Sequence, residues 1–135
     1  MMLLLDASAI LAYLHEEPGA DQVAEALTSL ADCQLTAANH AEVIAKCLDR
    51  GVAEKDVLPM LAGMGYRVIG LTAEDGALAG QLRASTRRHG LSLGDRLCLA
   101  AACRLDCPVL TADRPWLELA APLGLDIRCI RPDSQ

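Results

Sequence analysis

Leu3-Leu4-Leu5-Asp6-Ala7-Ser8-Ala9 opens the chain with an apolar run stopped by an acid, and Pro108-Val109-Leu110-Thr111-Ala112-Asp113 repeats that design near its end. A short run of large apolar residues with no polar alternation reads as a strand buried on both faces, the kind found in parallel sheets. After Asp6 the residues Ala7 to His15 continue with helical spacing, so the first stretch is strand, turn, helix. Outward from it, Pro18-Gly19 breaks the chain before a helix expected at about 20–31, with Val23, Ala26, Leu27 and Leu30 on one face. Cys33 to Thr36 is expected as a very short strand, Ala37 to Arg50 as a helix stopped by Gly51, and Glu54 to Gly63 as a helix carrying Pro59. A strand is expected from Tyr66 to Leu71. Thr72-Ala73-Glu74-Asp75 starts a helix running to about His89, and Ser92-Leu93-Gly94-Asp95 starts another running to about Leu105. A short helix from Pro115 to Ala121 and a last strand from Leu125 to Ile130 complete the pattern. Strands alternating with helices predict an α/β fold, a parallel sheet covered on both faces, in one domain over residues 1–135.

Composition narrows the functions open to such a fold. Twelve basic against eighteen acidic residues give a net charge of −6, the wrong sign for holding nucleic acid by bulk charge. The charge is uneven: residues 1–66 carry 3 basic and 10 acidic groups, residues 67–135 carry 9 and 8. With one Trp, two Tyr and no Phe, the chain lacks the material for a base-stacking platform. The first residues have no basic region, and no apolar run approaches the roughly 20 residues that span a bilayer, so a cytoplasmic protein without a membrane segment is expected. The six cysteines form no Cys-x-x-Cys pair and sit mostly in apolar stretches, which predicts buried thiols rather than disulfides or a zinc site.

The carboxylates carry the chemistry. In an open parallel sheet the functional crevice lies beyond the carboxyl ends of the strands, and Asp6 and Asp113 both end an apolar strand. Each could equally be a helix N-cap. Asp95 shares a helical face with Cys98, Leu99 and Ala102, a face the helix must bury, yet it also stands where a capping box closes on Ser92. Asp75 has the same box and nothing further, so a structural role is expected for it. Glu42 borders the apolar stripe of its helix, and could instead snorkel to the surface or pair with Lys46. Taken together, these four acids come from elements that a parallel sheet brings near one crevice. Four close carboxylates repel, and a divalent cation with a preference for oxygen ligands, Mg²⁺ or Mn²⁺, relieves that conflict. Such a site suits phosphodiester hydrolysis. Ser8 and Thr111 offer hydroxyls that could hold a carboxylate, or serve as local caps.

At these residues the chain resembles the PIN-domain family, and more narrowly its VapC-type ribonuclease toxins. The likeness rests on Leu4 to Ala9, Asn39-His40-Ala41-Glu42, Ser92 to Asp95, and Pro108 to Arg114, with Asp95 and Asp113 18 residues apart. The resemblance implies a three-layer sandwich with a central parallel sheet and an endoribonuclease acting on RNA. It implies Asp6, Glu42, Asp95 and Asp113 as catalytic, metal-binding acids for Mg²⁺ or Mn²⁺, supported by Ser8 and Thr111. It further implies an antitoxin partner that sends a basic side chain into the acidic crevice, and a homodimer. The aromatic expected after the last acidic motif is Trp116. No histidine is assigned as a base, since His15, His40 and His89 fall at a helix end, beside Glu42 and in a basic run. Arg83, Arg87, Arg88, Arg96 and Arg104 are the expected phosphate contacts, with a merely solvated face as the alternative.

A phosphoacceptor domain would need a second acid after the first strand and a late lysine, and no lysine follows Lys55. A dinucleotide site or a P-loop would need glycines that Asp6-Ala7-Ser8-Ala9 does not have. The surviving rival is a non-catalytic module that keeps the scaffold and uses its acids only to receive a basic segment.

Overall fold

A computed structural model of the chain describes residues 1–132. Its strands are β1 (Met2–Leu5), β2 (Asp32–Thr36), β3 (Arg67–Ile69), β4 (Val109–Thr111) and β5 (Ile127–Cys129). The helices are α1 (Ala7–Leu14), α2 (Ala20–Thr28), α3 (Ala37–Asp49), α4 (Glu54–Ala62), α5 (Ala73–Thr86), α6 (Leu93–Leu105) and α7 (Ala120–Leu123). Every strand pairing is parallel, and the strands lie in the order β3-β2-β1-β4-β5.

That order follows from which face each strand residue buries. Leu3 and Leu5 pack into one core with Ala9, Ile10, Val23, Val43 and Val57. Leu4, between them, packs into the other core with Leu82, Leu99, Val109 and Trp116. Successive side chains of a strand point to opposite faces, so this three-leucine run welds two helical layers to one sheet. The first four helices accompany β1, β2 and β3 outward to one edge. The chain then returns through α5 and α6 to lay β4 on the free side of β1, with Leu5 beside Leu110. The direction of winding therefore reverses between β1 and β4, the switch point where such sheets open a crevice.

The helices begin where the sequence places caps. Thr72 with Asp75 and Ser92 with Asp95 both form complete capping boxes, and Thr36 caps α3 through the Asn39 amide. The ends differ more from expectation. Helix α2 stops at Thr28 rather than about residue 31, because the Thr28 and Ser29 hydroxyls donate to the carbonyls of Ala24 and Ala26. The helix expected to reach His89 tightens into a 3-10 turn over Arg87–His89 before Gly90 at φ +66°. The one expected from Pro115 is a 3-10 helix over Arg114–Leu119 that passes into α7. Strand β3 is three residues long instead of six: it is an edge strand, paired only to β2, with Arg67 and Val68 exposed.

Asp75 is structural, as its sequence position predicts, but it does more than cap. Its carboxylate, 1% exposed, accepts two hydrogen bonds of 2.9 Å from Arg104, which ties α5 to α6. All six cysteines are free thiols, with Cys33, Cys47, Cys98 and Cys107 buried. Among the described residues no helix is long and apolar enough to cross a membrane.

Arg104→Ala leaves the Asp75 carboxylate buried and unpaired, so a loss of about 2–3 kcal/mol is expected in urea unfolding at neutral pH. The Arg104 guanidinium holds the Asp75 pKa below the usual aspartate value. The pair's stabilisation is therefore present above that ordinary value and lost as pH falls through the lowered one. The gap between variant and wild type should close in strong acid; an equal gap at both pH values would contradict the pairing.

Candidate active site

Asp6 follows the last residue of β1, and its amide donates to the Leu110 carbonyl at 3.1 Å, which places it against the end of β4. Its carboxylate is 1% exposed and fully engaged. Oδ1 accepts the Ala9 amide at 2.9 Å and so caps α1. The Ser8 hydroxyl reaches both oxygens, at 2.7 and 2.8 Å, and the Thr111 hydroxyl donates to Oδ2 at 2.7 Å. The same two hydroxyls accept backbone amides of the following loop: Ser8 from Ala112 at 2.9 Å and Thr111 from Asp113 at 3.1 Å. Asp6 is thus wired through Ser8 and Thr111 to the segment that carries Asp113.

Burial pushes the Asp6 pKa from 3.8 up to about 7; the three hydrogen bonds pull it down, and the charge of Asp95 adds to the rise. Asp113 is likewise raised, by partial burial and then by Asp95, while Trp116 and Arg131 act against the rise. The Trp116 indole N–H, fully buried and lacking a hydrogen bond of good geometry, faces this carboxylate. Asp95 closes its capping box through Ser92, whose amide donates to Oδ2 at 2.9 Å. It therefore completes the capping box of α6 and adds its charge to that of Asp6 and Asp113 at once.

Glu42 reaches the same place from α3. Asn39, one turn earlier and fully buried, donates from Nδ2 to Glu42 Oε1 at 2.7 Å and to the Gly94 carbonyl at 3.4 Å. The Glu42 carboxylate lies against Gly94 so closely that a Cβ there would collide with it. Cys98 is fully buried one turn after Asp95. Its thiol is raised well above the ordinary value, first by burial and then by the charges of Asp6, Asp95, Cys107 and Glu42.

The four predicted acids therefore share one neighbourhood, and Ser8 and Thr111 support Asp6. Each acid keeps its own hydrogen-bond partners. Among the described residues, no three acidic, imidazole or thiol side chains are drawn together tightly enough to hold a metal ion. The donor set is nonetheless all oxygen, mutually repulsive and partly desolvated, which fits a hard divalent cation rather than zinc or copper. No imidazole joins it: His40 Nδ1 lies 3.1 Å from Tyr66 Oη, and His89 Nε2 lies 2.9 Å from Glu118.

The expected arginine contacts do not assemble around the acids. Arg104 is taken by Asp75, and Arg96 donates to the Ala79 carbonyl at 2.9 Å, so both serve the packing of α5 on α6. Arg88 opens on a separate cavity with His89, Pro115 and Glu118. Arg83 and Arg87 are exposed, and no contact joins them to the pocket among the described residues. Two residues given no role from sequence, Asn39 and Gly94, prove to seat Glu42. The signal available was a buried amide three residues before an acid, and a glycine inside a capping box.

A parallel α/β sandwich with carboxylates gathered at its switch point defines the class of this protein. A family model, the PIN domain, matches residues 3–122, and the chain belongs to that family. Solved structures with the same fold include VapBC-1 from nontypeable Haemophilus influenzae, 15% identical over 96% of this chain and 98% of that one, with a TM-score of 0.72. A toxin-antitoxin complex from Klebsiella pneumoniae is 16% identical over 97% and 99%, with a TM-score of 0.71. FitAcB from Neisseria gonorrhoeae is 24% identical over 96% and 98%, with a TM-score of 0.64. No curated protein matches the chain in sequence.

Two outcomes test this geometry. The raised Asp6 pKa means that the folded state holds this proton more tightly than the unfolded state. Its contribution to stability is full below the ordinary value of 3.8 and lost as pH rises through about 7. The melting temperature of wild type relative to Asp6→Asn should therefore fall between pH 4 and pH 8 in chelator; a pH-independent difference would contradict the buried charge. Gly94→Ala should displace Glu42 and cost about 1–3 kcal/mol, and a variant as stable as wild type would show that α3 does not press on α6 here.

Proposed function

We propose that this chain is a metal-dependent endoribonuclease and the toxin of a toxin–antitoxin pair. The observation that carries the reading is the fully buried Asp6, its pKa lifted to about 7 beside the like charge of Asp95, at the sheet's switch point. A protein that only needed a cap for α1 would gain nothing from surrounding that cap with further acids. In this reading Asp6, Asp95 and Asp113 hold one or two Mg²⁺ or Mn²⁺ ions, with Glu42 as a further ligand or orienter. Bound there, the cation neutralises charge on the scissile phosphate and makes a water more acidic. The chain's own part is placement. Ser8 and Thr111 fix both oxygens of Asp6, Asn39 fixes Glu42, and the Ser92 amide fixes Asp95. The first turns of α1 and α6 direct the positive ends of their dipoles toward these acids, which moderates their repulsion.

Membership in the PIN family supports nuclease chemistry, and the named complexes support a toxin role. A cognate antitoxin fits the same pocket, since a cluster of acids without a paired cation would welcome a basic side chain from a partner. Homodimerisation belongs to the same proposal.

The deciding assay incubates purified protein with single-stranded RNA or DNA, with Mg²⁺, Mn²⁺ or chelator. Internal cleavage of RNA is expected only with metal, and Asp95→Asn should reduce it at least about a hundredfold. Asn still accepts the Ser92 amide, so that variant should fold as well as wild type. Protein that takes up neither ion by calorimetry, and cleaves nothing while binding a basic peptide in the pocket, would instead be the non-catalytic module.

A further inference from the structure

The four acids account for hydrolysis but not for how a polyanion stays beside them, since the chain's net charge is −6. On the other side of Ser8 from Asp6 lies a groove of about 340 Å³ lined by Ser8, His15, Lys46, Arg50 and Arg131. It runs between α1 and α3, and each of these helices also carries a residue of the acidic site, Ser8 on α1 and Glu42 on α3. At one end Ser8 donates to Asp6 at 2.7 Å, and Arg131 stands in the same wall. At the other, Glu42, Lys46 and Arg50 occupy positions i, i+4 and i+8 of α3 and its C-cap. Each step along that row advances about 6 Å at 1.5 Å per residue, away from the acid and along one side of the helix.

The cations differ in how committed they are. Arg131 meets Glu17, a second wall residue, at 3.4 Å. Lys46 and Arg50 are exposed, and neither side chain has a hydrogen bond or ion pair among the described residues. Lys46 does not bond Glu42, whose partner is Asn39. Asp49 also lines the groove, so its walls carry three fixed positive charges against two negative ones, a local reversal of the chain's balance. Of the arginines expected at phosphate, Arg96 and Arg104 are bonded within the α5–α6 packing and Arg88 lines a different cavity.

We propose that this groove holds the phosphate backbone of single-stranded RNA flanking the scissile bond, with Lys46 and Arg50 as its main phosphate contacts. The inference rests on the ribonuclease reading above and adds where the substrate lies. Arg50 brings a forked guanidinium suited to phosphate oxygens, and Lys46 a flexible point charge. Both also complement the negative end of α3 from exposed positions, an interaction screened by solvent whose removal leaves the fold in place.

The test follows fluorescence anisotropy of a labelled twelve-nucleotide oligouridine with the full chain in chelator, where no metal-dependent cleavage occurs, between about 50 and 200 mM salt. Lys46→Gln with Arg50→Gln should weaken binding about tenfold at the low-salt end. It should also flatten the slope of log affinity against log salt by about 1.4, or about 0.7 for each phosphate that the protein no longer neutralises. Lys46→Arg with Arg50→Lys should restore both, and Arg87→Gln with Arg88→Gln should change neither. With metal present, the first double variant should raise KM and leave kcat near wild type. An unchanged slope, or a larger effect from the Arg87 and Arg88 pair, overturns the proposal while leaving the nuclease reading intact. Loss of affinity for oligoglutamate with RNA binding unchanged would make the groove a seat for an acidic protein and overturn it as well. Wild-type protein that neither binds nor cleaves RNA overturns both readings together.

Discussion

A carboxylate removed from water at the end of a buried strand is costly unless its lone pairs are filled, and the Asp6 carboxylate fills them from two elements, the adjoining α1 and the sequence-distant β4. The backbone amide comes from α1, one hydroxyl from Ser8 in the same turn, and the other from Thr111 at the end of β4. Because both hydroxyls also accept amides from the loop after β4, moving any one of these groups leaves another buried donor without a partner. The pairing of β1 with β4, the start of α1 and the position of Asp113 are therefore one coupled unit. Everything the pocket can do depends on that unit holding its shape.

This coupling removes an apparent choice. Capping and site chemistry look like rival explanations for Asp6 and Asp95, yet Asp6 caps α1, Asp95 closes the capping box that Ser92 opens on α6, and both sit among like charges. The two roles reinforce each other. A helix N-terminus supplies donors and a positive dipole end, so a carboxylate can remain close to its neighbours there at a lower electrostatic cost. Asp75 shows what a capping acid looks like without a site: its neighbour is Arg104, and its pKa falls, where those of Asp6 and Asp113 rise.

Helix α3 lies along the border between the pocket and the groove. Its buried side supplies Asn39, Val43 and Cys47, while Glu42 and Lys46 follow one another along its flank. The approach of α3 to α6 is close because Gly94 has no side chain, so the glycine in the Ser92-Leu93-Gly94-Asp95 motif serves packing between helices more than the turn itself. A single helix thus presents an acid to the crevice and bases to the surface beside it.

Local chemistry determined most of the element order. Apolar runs ended by Asp6 and Asp113, capping boxes at Thr72 and Ser92, and glycines after helices are signals within a few residues, and they mark the strands and helix starts correctly. Gathering Asp6, Glu42, Asp95 and Asp113 into one neighbourhood was legible too, because parallel strands have only one end at which acids can meet. Three things needed the tertiary structure. Strand β3 lies at the sheet edge and pairs with β2 alone among the described residues, a position that its own residues do not declare. Packing of α5 on α6 diverted Arg96 and Arg104 from any phosphate, which counting charges along the chain could not reveal. Finally, buried Asn39 donates to the Gly94 carbonyl 55 positions away, where the Glu42 carboxylate also presses. Such contacts arise from how two helices settle against one sheet, and a sequence records the residues involved without recording that they touch.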